Sequence, residues 1–164
     1  MENHEIVIKY HEYEVGEKLP DEDARLIHAA KEATRSSYSP YSEFKVGAAL
    51  FLDDGSIVTG SNQENSAYPS GLCAERVALF HAKSINPDSV IKTIAITAKT
   101  VRFELKEPIT PCGACRQVIA ETEKRQNSKI KVIMTGEGCT TRVVDGIDNL
   151  LPFKFQEDKL KKTK

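Results

Sequence analysis

Two short cysteine segments constrain this chain more than anything else in it: Cys73-Ala74-Glu75 and Pro111-Cys112-Gly113-Ala114-Cys115. Their spacing suits three thiolates on one zinc ion. Three thiolates leave a tetrahedral zinc one ligand short, and an open position separates a catalytic site from a structural one. The fold must therefore bring two distant segments to one point. Helix N-termini carry partial positive charge and free N–H groups, which stabilise anions and lower cysteine pKa values. Cys73 is accordingly expected to open one helix. Cys112 and Cys115 are expected in the first turn of another, where their spacing puts them on a shared face. Cys73, Cys112 and Cys115 are the expected ligands of one Zn2+ per chain.

The remaining numbers bound the answer. A length of 164 residues suits one domain with a sizeable core. Hydrophobic residues at 40% and charged residues at 29% describe a soluble globular protein. The net charge of −1 provides no basic field to draw nucleic acid or an anionic membrane. No long apolar run is present, and the N-terminal residues lack the layout of a signal peptide, so the expected location is cytoplasmic. Four cysteines with one C-x-x-C pair fit metal or redox chemistry better than a disulfide scaffold.

Periodicity outlines the elements. Residues 5–15 alternate loosely, as an edge strand would, and form part of a 1–20 extension that packs outside the domain. A helix capped by Asp21 or Asp23 follows, with Leu26, Ile27, Ala30 and Ala33 as its apolar stripe. Strands over 44–52 and 56–61 flank an Asp53-Asp54-Gly55 turn. The polar loop 62–72 leads into a helix over 73–84 that presents Val77, Leu79, Phe80 and Ile85. A buried strand over 93–98, a charged irregular stretch over 101–109, a helix over 112–125 and strands over 129–135 and 140–144 complete the pattern. Helices alternating with strands predict a three-layer α/β/α sandwich around a mixed sheet of about five strands. The catalytic domain is expected over 21–156, and a charged, solvated tail over 157–164 carries Lys159, Lys161, Lys162 and Lys164.

The chemistry follows from the residue types. Zinc lowers the pKa of a water it binds to roughly 7. Glu75 is placed to take that water's proton and to deliver protons to a ring nitrogen and a departing amine. Three ligands plus a glutamate that is not a ligand suit hydrolytic deamination of a base. Zinc with three thiolates is an anionic centre that resists ionising water, so a cation should offset it. Arg76 and Arg116 both adjoin the motifs, and Arg76 is the expected donor to the thiolates. A surface ion pair is the plainer role for either. Cys139 as a fourth thiolate would make a structural zinc module. A redox pair at Cys112 and Cys115 would leave Cys73-Ala74-Glu75 unexplained. His4, His11, His28 and His81 fit no ligand spacing.

The motifs together closely resemble the cytidine deaminase family, in its small, homotetrameric, three-cysteine branch. The resemblance runs from the strand motif at 39–49 through Asn62-Gln63-Glu64-Asn65 and the two zinc motifs to Leu150-Leu151-Pro152-Phe153-Lys154-Phe155, covering residues 22–156. It implies a cytidine deaminase-like fold and conversion of cytidine and 2′-deoxycytidine to the uridines plus ammonia, in pyrimidine salvage. It implies that Asn62 and Glu64 hold ribose hydroxyls and that Phe44 lies against the base. The Ala74 backbone and Glu75 would read the pyrimidine edge. Tyr68 and Phe155 match positions that reach a neighbouring subunit's site, with packing as the plainer role for Phe44 and Phe155. Pro69 and Gly71 depart from the family's usual composition in the loop before Cys73. The rivals are a blasticidin-type aminohydrolase, a polynucleotide editor, a nucleotide deaminase and a non-catalytic zinc domain. The ribose pair argues against the first, and the lack of a basic groove or phosphate site against the next two.

Overall fold

The computed structural model describes residues 1–157 and Leu160, so Lys159, Lys161, Lys162 and Lys164 of the expected tail lie outside the described residues. The scaffold is built around β4 (Ile91–Lys99), whose apolar run is buried on both faces. Ile94 and Ile96 enter one hydrophobic cluster, and Ala95 between them enters the other. This is the period of two expected of a strand with helices above and below it.

β4 pairs antiparallel with β2 (Lys45–Leu52) and parallel with β5 (Lys131–Met134). β3 (Ile57–Ser61) closes the side beyond β2, and β6 (Thr141–Asp145) lies beside β5. A short β1 (His11–Tyr13) pairs with β6 as the outermost strand, giving the order β1-β6-β5-β4-β2-β3. The mixed sheet therefore has six strands rather than about five. The extra strand comes from the leader, where Glu12 meets Arg142 across the pair.

One face of the sheet is covered by α1 (Asp21–Ala33), which buries Leu26, Ile27 and Ala30 against Ala49, Ala95, Ile133 and Val143. The other is covered by α2 (Ala74–Ile85) and α3 (Gly113–Gln126), which contribute Ala78, Leu79, Ala82, Ile119 and Ala120. Neither Asp21 nor Asp23 caps α1. The helix starts after Pro20, and its acidic first turn faces the positive end of the helix dipole. Asp23 is instead buried, with the Lys131 Nζ 2.5 Å away.

The inward face of α2 differs from the expected one. Phe80 and Ile85 are 50% and 68% exposed, and the buried stripe is Ala74, Glu75, Ala78, Leu79 and Ala82. The reason lies in β3. A Cβ on Gly60 would stand 2.5 Å from the Ala78 nitrogen and 2.7 Å from the Ala74 oxygen. Helix and strand backbones approach so closely that only small residues fit between them. Gly47 on the neighbouring strand does the same for α1, since its Cβ would lie 2.0 Å from the Ala30 oxygen.

Candidate active site

Cys73 is the N-cap residue of α2 and Cys112 the N-cap residue of α3. Both have extended backbone, and neither side chain caps its own helix. The first intrahelical bonds run from Val77 to Cys73 and from Arg116 to Cys112. The N–H groups of Ala74, Glu75 and Arg76, and of Gly113, Ala114 and Cys115, precede those bonds and give each thiol a positive backbone end beside it.

The two helix starts converge. The Cys73 and Cys112 sulfurs are 3.7 Å apart and those of Cys112 and Cys115 3.5 Å apart. All three lie within 4.8 Å of one another. A tetrahedral zinc with Zn–S bonds of about 2.3 Å sets ligand sulfurs at roughly 3.8 Å, so the trio fits that ion. Cys115 is buried and Cys112 is exposed, so the cluster opens to one side. Among the described residues this is the one group of metal-ligating side chains so gathered. Cys139 stands apart, with its thiol 3.0 Å from the Leu105 carbonyl oxygen.

Electrostatics within the trio favour a thiolate at Cys73. The Cys115 thiol donates towards it and Arg76 adds a second donor, which lowers Cys73 to about 5. The same contact with Cys73, together with burial, pushes the Cys115 thiol up. The Arg76 Nη2 lies 3.6 Å from the Cys73 sulfur. Its Nε is buried and has no partner among the described residues. Arg116 does something else: it donates to the Pro111 and Leu150 carbonyls, both at 2.8 Å, and so ties the C-terminal segment to the start of α3. Glu75 is 4% exposed. Burial raises its carboxyl above the usual range, and the negative Cys73 beside it adds to the shift.

A cavity of about 600 Å³ opens from Cys73, Glu75 and Cys112 towards Phe44, Asn62, Glu64 and Tyr68. Its far end is a set of loops locked to one another. The Asn62 Oδ1 accepts from the Val46 N–H at 2.8 Å and the Ser37 hydroxyl at 2.5 Å, and its Nδ2 donates to the Phe44 carbonyl at 2.9 Å. Glu64 accepts from the Tyr41 N–H at 2.9 Å, the Ser42 N–H at 3.3 Å and the Ser42 hydroxyl. The Ser42 hydroxyl and these N–H groups hold its carboxyl below the usual value, as an ionised acceptor. Gln63 exchanges two backbone bonds of 2.9 Å with Leu72, which fastens the loops to the residue before Cys73.

Ala74 is the first residue of α2, fully buried between Cys73 and Glu75, and is not among the residues that line the cavity. Tyr68 sits in a one-turn 3-10 segment with Pro69 and is 82% exposed at the rim. Phe155 does not line the cavity. Its backbone is pinned by Gln117 through bonds of 2.8 and 3.2 Å, while the residue is 70% exposed. Sequence reasoning missed Ser42, the hub between Glu64 and the Phe44 loop, and Phe103, which stacks on Phe44. Phe103 lies in a charged, aperiodic stretch that carries no sequence signal beyond a lone aromatic.

The family model "Cytidine and deoxycytidylate deaminase zinc-binding region" matches residues 20–131. A cytidine deaminase of Halalkalibacterium halodurans is 50% identical over 96 residues, which span 58% of this chain and 68% of that protein. The crystal structure of cytidine deaminase from Burkholderia pseudomallei superposes with a TM-score of 0.69 at 41% identity, covering 80% of this chain and 98% of that one. That of Mycobacterium tuberculosis gives 0.63 at 29% identity, over 82% and 97%.

Proposed function

Because this chain belongs to the family of cytidine and deoxycytidylate deaminase zinc-binding proteins, we propose that it converts cytidine and 2′-deoxycytidine to uridine and 2′-deoxyuridine, consuming water and releasing ammonia. The observation that carries this reading is the thiol trio at two converging helix starts, with buried Glu75 beside it, at the inner end of the cavity.

Cys73, Cys112 and Cys115 would hold one zinc ion, which would supply Lewis acidity towards water and the substrate ring. Glu75 moves the protons. Its carboxylate takes one from the attacking water and passes it to the ring nitrogen, and then carries the proton of the new ring-carbon hydroxyl to the amine, which leaves as ammonia as the C–N bond breaks and the carbonyl forms. Its burial suits the task, because a carboxyl raised towards the working pH can both accept and return a proton. Arg76 offsets the charge of the thiolates and orients Cys73. Ala74 offers backbone polar groups to the pyrimidine edge.

At the other end Phe44 gives the base an apolar face. Asn62 has spent its carbonyl oxygen and one amide hydrogen on the protein, so one N–H remains for a sugar hydroxyl. Ionised Glu64 accepts from the hydroxyls. Among the described residues no lysine or arginine lines the cavity, whereas two glutamates do, which favours a nucleoside over a nucleotide.

Tyr68 and Phe155 are 82% and 70% exposed, and this supports a homotetramer in which they reach neighbouring sites. No helix among the described residues is long and apolar enough to cross a membrane. A cytoplasmic place in pyrimidine salvage, with no nucleic acid or membrane as partner, accords with the substrate and with the net charge of −1. The test is ultraviolet absorbance of purified protein mixed with cytidine, with zinc measured on the same sample. Loss of the cytidine band with stoichiometric zinc is expected. Stoichiometric zinc with an unchanged band would overturn the Asn62 and Glu64 assignment first.

A further inference from the structure

Besides Ile109 and Thr110, which line the cavity, the stretch after β4 meets the wall of the site through residues 102 and 103, and that contact has no role in the chemistry above. Phe103 stacks on Phe44 with ring centroids 5.9 Å apart and planes 16° from parallel. Phe44 lines the cavity and Phe103 does not, so Phe103 meets that wall from outside. Next to it, the Arg102 Nη1 donates to the Ser42 carbonyl at 3.3 Å. The Arg102 N–H is itself turned onto the Thr100 hydroxyl at 3.2 Å. Ser42 is the residue whose hydroxyl donates to Glu64 and accepts the Phe44 N–H. One pair of residues from a distant segment thus grips both the aromatic wall and the loop that carries it.

We propose that Phe103 and Arg102 are positioning residues that hold Phe44 in its base-facing orientation and so set how tightly the cavity binds the nucleoside. This rests on the functional reading above. The physical ground is preorganisation. Phe44 is half-buried and immediately precedes the first residue of β2, so it lies outside the strand ladder, and Phe103 stacks on its ring. A ring free to leave its rotamer well must be ordered when a base arrives, and that cost lowers affinity. A stacked neighbour removes the freedom beforehand and adds its own offset-stacking energy. Phe103 belongs to neither hydrophobic cluster and is 57% exposed, so core packing does not account for it.

Steady-state kinetics on cytidine test the proposal, with zinc content and thermal midpoint measured on every variant. Phe103→Ala should raise KM by roughly three- to tenfold, the span of an aromatic pair's contribution, and change kcat less than KM. Zinc content and midpoint should stay at wild-type values. Phe103→Tyr keeps the ring and should restore KM. Arg102→Ala should move KM in the same direction by a smaller factor. Val101→Ala, in the same segment and 85% exposed, should leave KM alone. An active wild type with an unmoved Phe103→Ala KM overturns this proposal alone. So does an equal shift in Val101→Ala, or a KM change that comes with lost zinc. A wild type that turns over no cytidine overturns the functional reading and this proposal with it.

Discussion

The two ends of the cavity are built on different principles. The metal end is made by secondary structure: two helices start at one point, and their terminal residues are the ligands. The end proposed for the sugar is made by loops, and its polar side chains are bonded to the backbone of neighbouring loops. Chemistry that needs fixed charge sits on rigid elements, where the helix backbone supplies the field. The recognition we propose for the sugar would sit on loops drawn together by long-range hydrogen bonds. Gln63 and Leu72 form the seam between the two.

The largest effect should come from the metal end. Glu75→Gln removes the proton carrier and leaves the thiols in place, so turnover should fall by about 10²- to 10⁴-fold with zinc retained. A variant that keeps most of its activity would show that another group moves the protons.

A pair of glycine variants separates the scaffold beneath the site from the scaffold elsewhere. Gly60→Ala and Gly47→Ala each force a Cβ into a helix backbone, and each should cost about 1–3 kcal/mol in thermal or urea unfolding. Gly60→Ala pushes on α2, which carries Cys73 and Glu75, so zinc affinity should fall as well. Gly47→Ala pushes on α1, which carries no site residue, so zinc affinity should hold. Equal zinc loss in both would mean that the metal end is not borne by α2 in particular.

At the sugar end, Asn62→Ala deletes three hydrogen bonds that join the 37–46 stretch to the loop after β3. It should raise KM about tenfold or more, in line with 1–3 kcal/mol for leaving buried partners unsatisfied, and spare zinc content. Loss of zinc in this variant would erase the distinction between the ends.

The smallest effect is one of pH. The Glu64 carboxyl is depressed below its ordinary 4.5 by the Ser42 hydroxyl and the Tyr41 and Ser42 N–H groups. A depressed carboxyl stabilises the fold above its unfolded value and loses that contribution as pH falls through the folded one. Amide exchange at Tyr41 and Ser42 should therefore quicken, after correction for intrinsic rates, as pH falls below about 4.5. Glu64→Gln should flatten the dependence.

The sequence was legible where function is local. A thiol, its helix start and the glutamate two residues on are neighbours along the chain, so short spacing carried both the ligand set and its electrostatics. The strands were legible for the same reason, because a period of two is a local property. The α2 face was not. Phe80 and Ile85 look like core residues along the chain, yet the approach of Gly60 brings the alanines inward. The edge strand expected within 5–15 is present, but it shortens to the three residues His11–Tyr13 that pair with β6, a limit that periodicity did not mark.

What the sequence determined by itself, then, is the cast of the site: three cysteines that gather, a glutamate and an arginine beside them and an alternating α/β scaffold. Each is set by residue type and by spacing within a few positions. What only the tertiary structure decided is which lone residues meet. Phe103 found Phe44, Ser42 found Glu64 and Arg116 found Leu150 across spans that carry no periodic signal. Those contacts depend on how loops close over a finished sheet, and loop closure is governed by the entropy of the whole chain rather than by any pattern within it.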